Sequence, residues 1–463
     1  MYYTLTDGFA LRTFLSGDHY LYHRSRPKPM QINNESFDVL VRCDGKHDLE
    51  ENEIVKQLSD WKVIRKDLTG GAVSEWSEHK KIDNRFVPSM NLMITGKCNF
   101  NCLHCYNAAE NEARMEEWDI EDIEKLLDEA SECGIHSVTL TGGEPMLHPG
   151  FNDIVREIRK RNMVLERIAT NGSLLTRDTL LMFRELEAFP QIKISFDGVG
   201  HHDHMRGRKG AEEKTLSAFR LCRDEGFETM AQTQVFRANL GSMKETVCQL
   251  EDAGAGCIRL IRTTPTQRWI NNSPEGSLSV EEYFNGMLEL AKWYMGTPHE
   301  TDLIIWRFMV LSSRCGDYHL TNVIQKDGVY HPGVPLCLGN RLMIAITCEG
   351  EVFPCLQMSG TLSEYGFHYD SLKERSLSDI LKSGSWLETV CRNRSWLHEE
   401  SRECGGCPWF KYCAGGCRAL GILDSLHMTG SLDYSSNDPL ACHFFKNGWL
   451  ERTREELKDY TEV

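Results

Sequence analysis

The sequence predicts an α/β fold: an open partial (βα)6 barrel, preceded by a small α+β module and followed by a cysteine-rich tail. Three observations carry this. From Met90 onward, β-type runs (NLMIT, SVTLT, VLERIAT, IKISF, TMAQTQVF and CIRLI) alternate with helix-length amphipathic stretches, making six βα units. Residues before about 85 lack that alternation, and beyond Pro335 cysteine, glycine and proline dominate. Strands separated by helices need right-handed crossovers and a parallel sheet, and six such units curl into an open, TIM-like barrel. Loops at the strand C-termini of such a barrel converge on one mouth.

Residues 1–85 hold short β-like pieces (FALRTFL, HYLYHR), then QINNESFDVLVRCDG and the helix-like LEENEIVKQLSD, which together read as a module with its own core. A charged, irregular link from Gly70 to Phe86 joins it to the barrel, residues 86–300. In the first barrel helix Ile120, Ile123, Leu126, Leu127 and Ala130 share one face, with Asp119 as N-cap and Gly134 as stop. Phe151, Ile154, Val155 and Ile158 repeat the pattern in the second. Residues 301–336 bridge to the tail, 337–447, which opens with LMIAITCEGEVFPC, a hairpin turning at Glu349 and Gly350. The rest of the tail is poor in apolar residues, so bound metal is expected to supply much of its stability. Residues 448–463 form a polar C-terminal helix.

The 463 residues are 41% apolar and 26% charged, with a formal charge of −16. That acidity excludes non-specific binding to nucleic acid or anionic lipid, and no apolar run reaches the ~18 residues that span a bilayer. The N-terminus, MYYTLTDGFALRTFLSG, has no basic start with a long apolar stretch, so a cytoplasmic protein is expected. Thiols stay reduced there, and cysteines more often serve metal or redox chemistry than disulfides.

Ten of the eighteen cysteines fall into two groups. Cys98, Cys102 and Cys105 form C-x3-C-x2-C directly after the first barrel strand. Downstream, Cys337 and Cys355 form C-x12-G-x4-C, Cys404, Cys407, Cys413 and Cys417 form C-x2-C-x5-C-x3-C, and Cys442 follows. A cubic [4Fe–4S] cluster takes four thiolates, so three clustered cysteines leave one iron free for a substrate or cosubstrate. Seven tail cysteines exceed one tetrahedral zinc.

NLMITGKCNFNCLHCYN followed by TLTGGEP resembles the radical S-adenosylmethionine superfamily. The resemblance implies a [4Fe–4S] cluster on Cys98, Cys102 and Cys105, with S-adenosylmethionine chelating the open iron and yielding a 5′-deoxyadenosyl radical. It implies a cosubstrate pocket built from Gly142, Gly143, Glu144 and Pro145, with Glu144 accepting from an ammonium group. His104, just before the third cysteine, is expected to pack against the adenine. Asn171, Ser195 and Asp197, at the ends of the third and fourth strands, line the same pocket by resemblance, and Arg206 is a partner for a carboxylate. Asn-Gly and Asp-Gly are also ordinary turn formers. His201, His202 and His204 look like a metal site but fall in a stretch that the family uses as a loop.

The tail resembles the SPASM extension, which implies two auxiliary [4Fe–4S] clusters and so three in all. By position, Cys404, Cys407, Cys413 and Cys442 hold one, and Cys337, Cys355 and Cys417 the other. That second set is one ligand short. Cys348 and Cys315 are insecure candidates, and a vacant iron would take substrate or solvent. Cys43, Cys133, Cys222, Cys248, Cys257, Cys315, Cys348 and Cys391 have buried packing as their default role, with Cys391 also a remote candidate donor or ligand.

Residues 1–85 resemble the PqqD-like module, a small winged-helix domain that binds leader peptides by strand addition. A cap that merely shields the barrel is the plainer alternative. Together the resemblances imply a maturase that takes hydrogen from a ribosomally made precursor peptide and installs a thioether or carbon–carbon crosslink. It would draw electrons from an external one-electron reductant of flavodoxin or ferredoxin type. Peptide epimerisation, a sulfatase-maturing type of oxidation, and a cluster-bearing electron carrier or binding protein are the alternatives.

Overall fold

The structure is a computed structural model that describes residues 1–67, 73–105, 108–109, 112–113, 116–264, 266–337 and 342–460. The N-terminal module contains β1 (Tyr2–Leu5), β2 (Phe9–Thr13), β3 (His19–His23), β4 (Arg26–Ile32), α1 (Asn34–Leu40), β5 (Asp44–Asp48), α2 (Glu53–Asp60), β6 (Ile64–Lys66) and β7 (Lys80–Lys81). Two small sheets result, ordered β5-β1-β6 and β4-β3-β2-β7. Asn33 and Asn52 cap the two helices by accepting from Ser36 N and Val55 N, which satisfies donors that the first turn leaves free. Tyr3, Leu5, Leu11, Leu21, Val55 and Leu58 form the module's own core.

The segment expected as an irregular link does more than connect. Its residues 68–72 lie outside the described residues, but β7 pairs with β2, and Trp76, Ile82 and Phe86 pack with Phe14, Tyr20 and Tyr22. This second apolar cluster docks the module on the barrel. Tyr22 donates to Gly134 O at 2.7 Å, and His136 Nε2 donates to His23 O and Arg26 O.

The barrel follows as β8 (Ser89–Thr95), a two-residue pairing of β9 (Ala108–Ala109) with β10 (Glu112–Ala113), then α3 (Ile120–Glu132), β11 (Ser137–Gly142), α4 (Phe151–Lys160), β12 (Val164–Thr170), α5 (Arg177–Glu185), β13 (Gln191–Ser195), α6 (His202–Arg206), α7 (Ala211–Asp224), β14 (Thr229–Val235), α8 (Met243–Ala253), β15 (Cys257–Arg262), α9 (Gln267–Asn272) and α10 (Val280–Met295). All six expected strands are present, and β8, β11, β12, β13, β14 and β15 pair in that order, in parallel. Ile123, Leu127, Ile154, Val155 and Ile158 of the first two helices are fully buried against the sheet. Each such side chain contributes roughly 1.5–3 kcal/mol relative to exposure. Asp119 precedes α3 without making a side-chain cap hydrogen bond, and Gly134 follows it at φ +80°.

The sheet does not stop at residue 300. From the stretch expected as a bridge, β16 (Asp302–Ile305) adds in parallel to β15, and β17 (Met309–Ser312) and β18 (Asp317–Leu320) continue antiparallel. At the other edge β19 (Met343–Ile346) of the tail pairs in parallel with β8, and β20 (Val352–Phe353) closes the expected hairpin, with Gly350 at φ +90° in its turn.

The rest of the tail is α11 (Leu356–Glu364), α12 (Leu377–Ser383), α13 (Leu387–Val390), α14 (Arg394–Glu400), α15 (Phe410–Cys413), α16 (Arg418–Thr429), α17 (Pro439–Lys446) and α18 (Trp449–Leu457). Contrary to expectation, this region is not short of apolar contacts. Leu377, Ile380, Leu381, Trp386, Phe444, Phe445 and Trp449 continue the barrel core, and Phe353, Met358, Leu362, Ile422 and Leu426 form a cluster of their own. The apolar residues are spaced at helical intervals between cysteines, which hides them in a composition count. Among the described residues, no helix is long and apolar enough to cross a membrane.

Candidate active site at the mouth of the barrel

The C-terminal ends of β8, β11, β12 and β13 carry, in turn, the three-cysteine loop, Gly142 to Pro145, Asn171, and Ser195 with Asp197. Parallel pairing of these strands sets all four segments at one mouth.

The two glycines make the first junction. A Cβ on Gly142 would stand 2.3 Å from Thr95 O, and one on Gly143 2.2 Å from Lys97 O. Gly143 N donates to Thr95 O and Glu144 N to Lys97 O, at 2.7 and 2.9 Å. The glycines therefore admit the backbone that leads into the cysteine loop, where ligand approach had been expected. Glu144 is fully buried. It accepts from Asn171 N and Thr170 Oγ1, both at 2.8 Å, and from Met146 N at 3.3 Å. Burial pushes its carboxyl up to about 7 against those hydrogen bonds. Pro145 begins the single 3-10 turn behind it.

Asn171 ties the third strand to the loop, donating from Nδ2 to Asn99 Oδ1 at 2.8 Å. Ser195 lies half-buried at the end of β13, beside Gln232. Asp197 is fully buried and central. Its Oδ2 lies 2.7 Å from Arg206 Nε and 3.4 Å from His104 Nε2, while its Oδ1 accepts from Gln234 N. Burial alone would raise this carboxyl, yet Arg206, then His104, hold it below the usual carboxylate range. His104 thus turns toward a carboxylate.

Arg206, a candidate for the same pocket and a partner for a carboxylate, pairs with the protein's own Asp197. Its Nη1 donates to Cys102 Sγ at 3.5 Å, and its backbone carbonyl accepts from Asn101 N. Burial disfavours its charge, but Asp197 and Cys102 more than restore it, so the guanidinium stays charged. The sequence reading missed Arg268, which is buried and donates from Nε to Cys102 O at 2.9 Å and from Nη2 to Asn101 Oδ1. No motif marks it; only the fold brings α9 to the loop. Phe100 N donates to Cys98 Sγ at 3.5 Å, and burial pushes the Cys98 thiol up to about 12, with Cys102 and Cys105 near enough to add to it. Bound iron reverses that preference, because a coordinated thiol is deprotonated.

The three histidines do not converge. His202 Nδ1 accepts from Asp197 N while its ring stacks on Phe196, and burial drives it down to about 3. His201 sets its ring against Phe236, and His204 lines a cavity of about 350 Å³ with Leu103, Met205, Phe236 and Trp269.

In the tail, Cys355 caps α11 and Cys417 precedes α16. Burial raises the Cys355 thiol, and Cys417 and Cys337 are close enough to raise it further. Burial likewise pushes Cys413 up to about 12, with Cys404, Cys442 and Cys407 adding to it. Cys337 and Cys417 are thus charge neighbours of Cys355, and Cys404, Cys407 and Cys442 of Cys413. Arg418 stands between them, buried, held by Gly415 O, Tyr434 O and Ser436 O, and near Cys404, Cys417 and Cys337. Asp438 Oδ2 accepts from Cys417 N at 2.7 Å and pairs with Arg307.

Cys348 is buried in the hairpin turn, with Sγ 3.5 Å from Glu349 Oε2, whereas Cys315, expected to be buried, is exposed in the turn between β17 and β18, at the edge of the sheet. Cys391 accepts from Arg85 Nη1 at 3.0 Å. Cys43, Cys133, Cys222 and Cys257 are buried, as their default role requires. Cys248, expected to be buried, is exposed: it lies on the outer side of α8, while Val247 and Leu250 face the core.

Among the described residues, no three His, Cys, Asp or Glu side chains close around a single ion. Thiolates of a cubane stand around four irons, and so farther apart than ligands of one metal. The donor chemistry fits a cluster: thiols with amide and guanidinium donors aimed at sulfur.

Residues 92–247 match the model of the Radical SAM superfamily. That stretch of the barrel is thus similar to a radical SAM domain, the class that holds a [4Fe–4S] cluster and S-adenosylmethionine. More particularly, the chain is similar to the antilisterial bacteriocin subtilosin biosynthesis protein AlbA of Bacillus subtilis, with 25% identity over 433 residues that cover 89% of each chain. It is also similar to the AdoMet-dependent heme synthase of Methanosarcina barkeri, with 26% identity over 339 residues that cover 70% of this chain and 89% of that one. Streptococcus suis SuiB, solved with its precursor peptide SuiA, shares the fold at a TM-score of 0.64 and 11% identity, covering 95% of this chain and 99% of that one.

Proposed function

We propose that this protein is a radical SAM peptide maturase that modifies a ribosomally made precursor peptide. The observation that carries this reading is the three-cysteine loop, clamped at the barrel mouth by Gly142, Gly143, Asn171, Arg206 and Arg268, beside the buried carboxylates Glu144 and Asp197. Cys98, Cys102 and Cys105 would hold the cluster, which with S-adenosylmethionine supplies a 5′-deoxyadenosyl radical. Glu144, kept in place by Thr170 and Asn171, would accept from the cosubstrate ammonium. The Asp197–Arg206 pair would keep the loop rigid and His104 oriented.

The tail cysteines would hold two auxiliary clusters, Cys404, Cys407, Cys413 and Cys442 one, and Cys337, Cys355 and Cys417 the other. Joining two residues of a peptide removes two hydrogens, so one electron beyond the abstracted atom needs an acceptor, which the tail would provide. A thioether or carbon–carbon crosslink is the product expected. The N-terminal module would serve as a PqqD-like leader-binding domain, a role supported by the breadth of the likeness to AlbA and SuiB. An external flavodoxin- or ferredoxin-type protein would supply the reducing electron.

A second reading, action in haem synthesis, draws on the similarity to the heme synthase, but that match leaves 30% of this chain uncovered. The test is anaerobic reconstitution with iron and sulfide, followed by reductant, S-adenosylmethionine and candidate precursor peptides. The expected result is 5′-deoxyadenosine release and a peptide lighter by two hydrogens. Full 5′-deoxyadenosine release from protein with Cys98, Cys102 and Cys105 all replaced by alanine would sink the assignment.

A further inference from the structure

Three cations, Arg167, Lys193 and Arg259, lie on the inner face of the barrel sheet. On β13, Ile192 and Ile194 join the helix-side core, so Lys193 and Ser195 face the lumen. The register sets Lys193 beside Ala169 and Met230, Ser195 beside Gln232, and Gln232 beside Arg259. Arg167 lies one step lower, opposite Gln191. A filled parallel barrel would carry bulky branched side chains at such positions. Here Ser195, Gln232 and the three long cations make that face polar, with Ala169 and Met230 between them.

Lys193 is half-buried on the face of β13 opposite Ile192 and Ile194. Its charged neighbours are Arg259 and Arg167, both of like sign, and with burial they depress its pKa to about 7. Arg167 has Glu166 at 3.1 Å and Gln191 as partners, and Arg259 lies 5.9 Å from the Trp306 ring centroid and near Cys417. Among the described residues no carboxylate faces Lys193. Three cations gathered inside a chain of net charge −16 create a local attraction for anions that the acidic exterior does not. Arg259 also lies near Cys417 of the tail.

We propose that Lys193, flanked by Arg167 and Arg259, binds a carboxylate of the substrate, so that the peptide segment entering the barrel is acidic. This rests on the peptide-maturase reading and adds its substrate class. Two sources of the carboxylate, a Glu or Asp side chain and a free C-terminus, share this chemistry.

The test titrates the reconstituted full chain, with S-adenosylmethionine present, by calorimetry. The probes are N-acetylated Ala-Gly octapeptides: two Glu with an amidated C-terminus, two Gln amidated, and two Gln with a free acid. The amidated Glu peptide is expected to bind about tenfold or more tightly than its Gln counterpart, as a charged hydrogen bond predicts. Tighter binding of the free acid than of the amidated Gln peptide would show the C-terminus as a second source. Lys193→Met and, separately, Arg259→Met should erase the Glu preference while leaving iron content unchanged. As a readout independent of those variants, the Glu peptide should protect Lys193 from acylation, followed by mass spectrometry. Equal binding of all three peptides, or no binding by any, overturns the proposal. So does tighter, Lys193-dependent binding of coproporphyrin III, a tetracarboxylate, because it would remove the peptide from the lumen. A Glu preference without 5′-deoxyadenosine release would instead leave the lumen site standing and fail the maturase reading.

Discussion

The Arg206 guanidinium lies 2.7 Å from the Asp197 carboxylate, and both side chains are buried. The pair links the loop after β13 to the end of α6, and Arg206 extends it to Cys102. Removing one member leaves the other charge without compensation. Asp197→Asn should therefore cost about 3–5 kcal/mol in denaturant unfolding, and replacing both residues together should cost less than the sum of the single changes. Full additivity would mean that the two charges do not interact.

Gly143→Ala should disorganise the cysteine loop, because its Cβ would meet the backbone oxygens of Lys97 and Gly96 at 2.2 and 2.5 Å. Backbone cannot yield as a flexible side chain can. Iron bound after reconstitution should fall well below the wild-type value, whereas Gly241→Ala, with open space around its Cβ, should retain it.

His136 joins the module to the barrel and is held neutral. Burial lowers its pKa from 6.5 to about 4, although the carbonyls of His23 and Arg26 partly oppose this. Because the folded value lies below the unfolded one, the unfolded chain binds the extra proton first. Stability is complete above pH 6.5 and is lost as pH falls toward 4, by about 3 kcal/mol. Chemical unfolding monitored across that window should show the slope, and His136→Gln should flatten it.

Arg418 places one positive charge between the two tail cysteine sets. Arg418→Gln should lower the midpoint potentials of tail clusters by roughly 60 mV, a tenfold change for one electron, while Arg418→Lys should recover part of it. Redox titration followed by electron paramagnetic resonance measures this directly. Unchanged potentials with intact clusters would assign Arg418 to loop packing through Gly415, Tyr434 and Ser436 alone.

Much of the fold was legible because its signals are local. Alternating strand and helix periods marked β8 to β15, and Gly350 marked the tail hairpin. The sheet's extension at both edges was not legible: β16 looks like any short apolar run, and the pairing of β19 with β8 joins residues about 250 positions apart. In the site, Cys98, Cys102, Cys105 and Gly142 to Pro145 stood out by spacing. Arg268 did not, since an arginine on a short helix carries no pattern until the chain brings it to Cys102 O. Cys248 was misjudged for a related reason: a cysteine in an amphipathic helix is buried or exposed according to a turn of about 100° per residue, which a short window resolves poorly.

The sequence by itself determined which residues can carry the chemistry, because thiol spacing, strand order and glycine identity are written along the chain. Only tertiary structure decided what those residues face. Arg206 meets Asp197 and Cys102, the glycines meet the backbone of the cysteine loop, and Lys193 lies near two arginines on the inner face of the sheet. These are contacts between distant segments, and they depend on strand register and packing, which no local pattern encodes.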